Sequence, residues 1–543
     1  MVRPSARAID HRGRTLLLVL RVHADAFALD PKTYLRAVGW RLRGLKVRSR
    51  NAIAPLTGRS PHAYSLWMRR TEARTAPTAV PASLPVSILP VIDCRQGDSG
   101  AEETIASLRN SHALPPVTIG GATATGATRI DHPRELSRWS AGGGVWLCPL
   151  LPGDRLAPDA LETYATAAAM SDARVIYADD DLLTGGTRRA PHFKPQWNPE
   201  LFQHHDYLTG ASIIFATDID PASEEGWVED LLAQALLGGA PVHVPRVLHH
   251  RQKRPAPVVP ASPAEPLAAP VPLVSVIIPS RNQLGLLRTC IDGLKRVAYA
   301  RVEVIVIDND SDDPATLEYL RALERDGAAV LHMPGAFNYS RLNNAAARGA
   351  TGDFLCFLNN DVEMIDEAWL APLVRQALRP EIGAVGARLL YPDGTIQHAG
   401  VFTGIGGGAG HGHRFQREVD PGYFERARLP QQVSAVTAAC MVVARDKFLA
   451  VGGFDEVDFP VAFNDVDLCL KLNARGWQAL YEPRATLIHH ESKSRGSDSA
   501  KANKARFAGE LAALKRKWHT DVNPDPYHHP QLSRFSEQFL VAV

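Results

Sequence analysis

Three short apolar runs set the limits on what this chain can fold into. Residues 274–278, 302–307 and 354–358 are rich in Val, Ile, Leu and Phe. Each ends abruptly in polar residues: Pro279-Ser280-Arg281-Asn282, Asp308-Asn309-Asp310-Ser311 and Asn359-Asn360-Asp361. Runs this short, bounded by turn residues, suit buried strands better than helices. Between them the apolar spacing predicts helices over 285–297, 315–325 and 342–350. Strands and helices alternating through short connections imply parallel pairing with right-handed crossovers. Open sheets of this kind place ligand chemistry beyond the carboxyl ends of their strands, where these polar clusters collect. Asp361 is the first candidate; the plain alternative is a turn acid that caps a helix starting near Asp366.

At 543 residues the chain is too long for one ordinary domain. Its 45% hydrophobic and 22% charged content is that of a globular protein, and a net charge of +2 gives no bias toward nucleic acid. Residues 1–78 are an exception, basic and unassigned, with helical potential only near 34–45. They read first as a disordered arm, with attraction to anionic lipid as the alternative. The apolar run 15–22 is interrupted by Arg21, is too short to span a bilayer and lacks a cleavage site. Six scattered cysteines with no CxxC fit neither a disulfide framework nor a zinc site. The expected location is therefore cytoplasmic, with peripheral attachment to the inner membrane face left open.

Composition divides the rest. Residues 79–250 show an α/β pattern, and 251–272 are dense in Pro and Ala, as a semi-rigid linker would be. Residues 273–500 hold the strand-end clusters, and 501–543 read as a helix and tail.

Further polar stretches complete the second domain. They are Phe337-Asn338-Tyr339-Ser340 with Asn343-Asn344, Gly452-Gly453-Phe454-Asp455-Glu456, Asn464-Asp465-Val466-Asp467 and Ile488-His489-His490-Glu491-Ser492. In this order and spacing, residues 273–496 resemble a family 2 glycosyltransferase of the GT-A fold, an α/β fold with a Rossmann-like mixed sheet. The resemblance is greatest to bacterial enzymes of O-antigen and related cell-surface polysaccharide synthesis.

That resemblance implies a nucleotide-diphospho-sugar donor, a polysaccharide or lipid-linked oligosaccharide acceptor, and a divalent cation, Mn²⁺ or Mg²⁺. Asp361 matches the metal motif, with Asn359 and Asn360 in place of the family's earlier acids. One carboxylate then carries most of the site, and the nucleotide must complete the coordination. His489, or else His490, is the expected second ligand, favouring Mn²⁺. Asp465 matches the base that takes the acceptor's proton, which implies single displacement with inversion; its plain alternative is a helix cap. Asp308 is expected to hold the base or ribose. Pro279, Ser280, Arg281, Asn338, Asn344 and Asn360 join it around the donor, and Asp455, Glu456 and Asp467 are placed on the acceptor side. The run Gly404-Ile405-Gly406-Gly407-Gly408-Ala409 satisfies a loose dinucleotide pattern but opens no βαβ unit, and reads as a flexible loop beside the acceptor channel.

The same template lies faintly over 79–250. Val86-Ser87-Ile88-Leu89-Pro90 parallels 274–279, and Gly153-Asp154 falls where a metal motif would be. Gly120-Gly121 stands where the second domain has Asp308, so a degenerate GT-A-like domain is expected, with Asp179-Asp180-Asp181 as its remaining acidic cluster. The competing reading of the whole chain is a non-catalytic carbohydrate-binding scaffold built from two decayed domains.

Overall fold

Two mixed sheets carry the chain, and they share one strand order. The computed structural model describes residues 6–72, 84–261, 267, 269–490 and 503–543, except 110, 123, 218, 221 and 222. Glu491, Ser492 and the expected boundaries at 79 and 500 lie outside these residues.

In the second sheet Val274–Ser280 is central, parallel to Val302–Asp308 on one side and Phe354–Leu358 on the other. Ala329–His332 extends the parallel half. Beyond Phe354–Leu358 the direction reverses at Cys440–Ala444, and Ile382–Leu390, Gln478–His489 and Val362–Met364 complete the order. The parallel strands are buried along their length, as strands covered on both faces must be.

The first sheet repeats this plan from Thr128–Ile130 through Val117–Ile119, Ile88–Asp93, Val145–Leu150, Ser212–Ala216, Val175–Thr184 and Val242–Arg251 to Arg155–Leu156. Every neighbouring pair has the orientation of its counterpart. A GT-A domain preceded by a GT-A-like copy, the fold class expected above, is what the strand order shows.

The disordered-arm reading fails for the described part of 1–78. Four helices form there: α1 (Ala6–Leu29), α2 (Pro31–Leu42), α3 (Lys46–Gly58) and α4 (Ala63–Arg70). The Asp30 carboxylate caps α2 by accepting the Thr33 N–H at 3.0 Å, with Pro31 at the first helical position. Val22, Ala26, Ala37, Leu66 and Trp67 are buried beneath. Basic composition concealed a helical layer that packs on the rest of the chain.

The linker is extended where it is described, yet it is tied down. Arg254 pairs with Asp180 and lies over the Phe424 ring, and Val258 donates its N–H to His204 at 2.7 Å. After helix Lys504–Trp518 the tail wraps across both halves. One apolar cluster runs from Tyr64 and Trp67 through Phe193 and Phe357 to Leu532 and Phe539. No helix among the described residues is long and apolar enough to cross a membrane.

Candidate active site

The strand ends meet as the topology requires. Ser280 and Asp308 are register partners, and the Asn360 amide donates to Ser280 Oγ at 3.1 Å. Asp308 is buried; its Oδ1 accepts the Ser311 N–H at 3.1 Å, and its Oδ2 lies 2.9 Å from His332 Nδ1. Asn309 holds the turn by donating to the carbonyls of Met333 and Gly335. Pro279 is buried within the strand that Ser280 ends, and Arg281 emerges from it exposed.

Asp361 lies buried in the turn between strands Phe354–Leu358 and Val362–Met364, with Oδ1 3.1 Å from Nε2 of His489. Asn359 approaches the same nitrogen at 3.3 Å, while the buried Nδ1 of His489 has no hydrogen-bond partner. The tautomer of His489 sets whether Nε2 donates to the carboxylate or turns a lone pair toward it. A proton on Nε2 or a cation between the two atoms closes the pair, and an imidazole nitrogen beside a carboxylate oxygen is a donor set that fits a divalent ion. His490 points elsewhere: its Nε2 lies 2.8 Å from Glu363.

Asp465 lies in the first turn of helix Asn464–Ala474. It is not the cap. That position belongs to Phe463, whose φ of 61° is strained for an aromatic residue, and such strain gathers at functional sites. Burial raises the Asp465 pKa above the usual carboxylate range, partly offset by the N–H groups of Ala438 and Val466 and the Thr437 hydroxyl. Its carboxylate borders a cleft of about 190 Å³ lined also by Asn359, Gln397, His411, Thr437 and His489. Gln397 and His411 escaped the sequence reading. The only signal for His411 was its place after a glycine run, and His398 now holds it through a contact of 2.9 Å between the two Nδ1 atoms.

The glycine-rich stretch is not a loose loop. Val401–Thr403 and Ala409–His411 pair as a short hairpin, and the tail fastens it through Arg534 and Glu537. Each backbone bond made there removes freedom that glycine composition alone would suggest.

Several expected site residues are occupied otherwise. Asn338 caps its helix and donates to the Glu456 carbonyl at 2.9 Å. Asn344 grips Phe454 through both amide ends and reaches Glu456 Oε1 at 2.9 Å. Both are clamps on the 453–459 loop, where the sequence had placed them beside the nucleotide. Gly453 has a φ of +66°, and a Cβ there would stand 2.5 Å from Asn344 Oδ1, so the clamp also explains the glycine. Asp455 folds the same loop by accepting from Val457 and Asp458. Asp467 is fully buried and held by Trp518, Lys471 and Lys517. It braces the C-terminal helix.

The first copy shows the same positions without the arrangement. Asp154 precedes Arg155, the register partner of His250, as Asp361 precedes Val362, the partner of His489. There Asp154 accepts the N–H groups of Leu151 and Gln252, and His250 turns to Asp181 at 2.8 Å. Asp308 has its counterpart in Ile119. Asp180 is ringed by Lys194, Arg251 and Arg254. Asp179, His243 and His529 lie close enough to hold an ion. His529 Nδ1, however, accepts the Gln531 N–H, which places its proton on the Nε2 facing Asp179 at 2.9 Å. His243 Nε2 closes on the other oxygen of Asp179 at 2.9 Å, while Asp179 Oδ2 and His529 Nε2 make no hydrogen bond.

Residues 275–451 match the sequence profile of glycosyl transferase family 2. An N-acetylglucosaminyl-diphospho-decaprenol L-rhamnosyltransferase of Mycobacterium tuberculosis is 31% identical over 37% of this chain and 70% of that protein. The chain belongs to glycosyl transferase family 2. The chain is also 34% identical to the O-antigen biosynthesis protein RfbC of Myxococcus xanthus, over 70% of this chain and 33% of that one. It is 37% identical to the uncharacterized protein y4gI of Sinorhizobium fredii, over 74% of this chain and 50% of that one. The chain thus spans half of one of these longer relatives and a third of the other.

Proposed function

We propose that residues 273–500 form an inverting, metal-dependent transferase site that moves a sugar from a nucleotide-diphospho-sugar to a growing cell-surface polysaccharide or a lipid-linked oligosaccharide. The carrying observation is that Asp465, its pKa raised, and His489, paired with Asp361, border one cleft. Asp361 and His489 would hold the cation, Mn²⁺ or Mg²⁺, and His490 would not. When bound, a divalent ion stabilises negative charge on a leaving diphosphate.

The protein's own groups do the rest. Asp308 and Ser280, joined through Asn360 and their strand register, orient the nucleotide, with Arg281 beside them. Asp465 accepts the proton of the acceptor hydroxyl as that oxygen attacks the anomeric carbon. Its raised pKa makes it a better acceptor of that proton than an ordinary carboxylate. One base and direct attack invert the configuration. The 453–459 loop bearing Asp455 and Glu456, together with His411, shapes the acceptor side. In this reading residues 79–250 are a scaffold whose chemistry has lapsed, joined through the segment 251–272. The names of the O-antigen and decaprenol-linked relatives support a surface-glycan acceptor.

The test is nucleoside-diphosphate release from a panel of donors with Mn²⁺, with and without lipid-linked acceptors. Acceptor-stimulated release that Asp465→Asn abolishes supports the assignment. Full release by that variant would remove Asp465 as base, and silence toward every donor would restore the scaffold reading.

A further inference from the structure

α1 has two apolar faces, where a surface helix ordinarily has one. Val22 and Ala26 point inward and are buried. Leu16, Leu20 and Phe27 follow the helical repeat on a second face and are 61%, 59% and 44% exposed. On α2, Leu35 and Leu42 lie seven residues apart on one face, 60% and 84% exposed. Single exposed leucines are ordinary, but two successive helices each carrying an outward apolar stripe are not.

Charge decides what would cover them. Residues 14–50 hold nine Lys and Arg against two acids, Asp25 and Asp30. Both acids are engaged within the layer, Asp25 with Ser60 and His62 and Asp30 as the α2 cap. Arg36, Arg41, Arg43 and Lys46 flank the leucines and are exposed. Apolar side chains bordered by cations match the boundary between acyl chains and anionic headgroups, where long basic side chains reach out to phosphate while their stems stay apolar.

We infer that α1 and α2 form a docking surface for an anionic phospholipid bilayer. The layer is rigidly joined to the transferase site. Gly58 of α3 abuts Leu540 of the tail, Trp67 of α4 donates to Gln531 at 2.9 Å, and Glu537 of the same tail accepts the N–H of His411 at 3.1 Å. A bilayer seated on these helices would lie on the body that holds the cleft, as a lipid-linked acceptor requires. That last point rests on the transferase reading; the surface itself does not.

Flotation of the full chain with vesicles tests it without any donor, so its failure and that of the transferase reading are separate results. Phosphatidylcholine vesicles containing phosphatidylglycerol should carry the protein upward, pure phosphatidylcholine vesicles should not, and salt should release it. Leu16→Asp with Leu20→Asp, and separately Arg36→Glu with Arg41→Glu and Arg43→Glu, should each weaken binding about tenfold or more. Thermal melts should stay unchanged, since these side chains are exposed. Absence of flotation on the anionic vesicles, or equal flotation of wild type and the charge-reversed variant, overturns the proposal. So does self-association in solution that the leucine variant abolishes while vesicle binding is absent, which would make the face a protein interface.

Discussion

Oδ1 of Asp361 and Nε2 of His489 stand 3.1 Å apart because Val362 pairs with His489 across two antiparallel strands. A one-residue slip would turn His489 to the other face of the sheet. His490, its neighbour, therefore faces away toward Glu363. His489→Ala should lower transfer by at least about 100-fold and raise the Mn²⁺ concentration needed for half activity. His490→Ala should leave transfer within about fivefold, the worth of a partly exposed ion pair. Equal losses in a metal titration would mean that the pair is not the cation site.

Removing the base should spare binding. Asp465→Asn is expected to cut kcat about a hundred- to ten-thousandfold while donor affinity, read by calorimetry, is unchanged. A matching loss of donor affinity would place Asp465 in binding instead.

The raised pKa of Asp465 has a definite sign in stability. The folded state holds this proton more tightly than the unfolded chain, so ionisation costs stability at neutral pH. The cost is relieved as pH falls through the folded-state pKa. Asp465→Asn should therefore melt higher than wild type at pH 7, with the gap closing in acid. Transfer should also fail on the acid side at a higher pH than an ordinary carboxylate would give. A variant that melts lower at pH 7 would contradict this.

In the first copy the charges hold structure. Burial opposes the ionisation of Asp180, and Lys194, Arg254 and Arg251 overcome it, leaving its pKa below the usual range. Lys194→Met would strand a buried carboxylate, at a cost of about 3–5 kcal/mol in denaturant unfolding. An unchanged midpoint would show that the remaining arginines suffice.

Asn344→Ala leaves the buried Phe454 N–H and carbonyl without their partner, a loss of about 1–3 kcal/mol. Because it loosens the 453–459 loop, the Michaelis constant for acceptor should rise more than that for donor. Equal rises would place Asn344 with the nucleotide, as its sequence position first suggested.

The strand ends were readable because each is an apolar run cut off by polar residues, a local pattern that survives in one dimension. Asp308 and Asp361 were singled out that way, and Asp465 by its place in the Asn464-Asp465-Val466-Asp467 stretch. Asn338, Asn344 and Asp467 have structural partners that the sequence did not show, because a buried amide or acid has the same letter whether it holds a ligand or a loop. Only partners more than fifty residues away, Glu456 and Trp518, decide between those roles. His411 was hidden for the same reason: the tail that fixes its hairpin lies over a hundred residues on. The N-terminal helices were obscured by their charge, since two apolar faces blur the helical period.

The segment from Asp525 to Val541 follows both sheets in the chain, yet it touches all parts of the body. It reaches Asp179 through His529, Trp67 through Gln531, Thr403 and Ser434 through Asp525, and the cleft hairpin through Glu537. During synthesis each sheet emerges and can fold before this strap is available. The cleft is therefore completed after the domains themselves, and a nascent chain paused short of residue 525 would display two folded sheets with no finished site between hairpin and base.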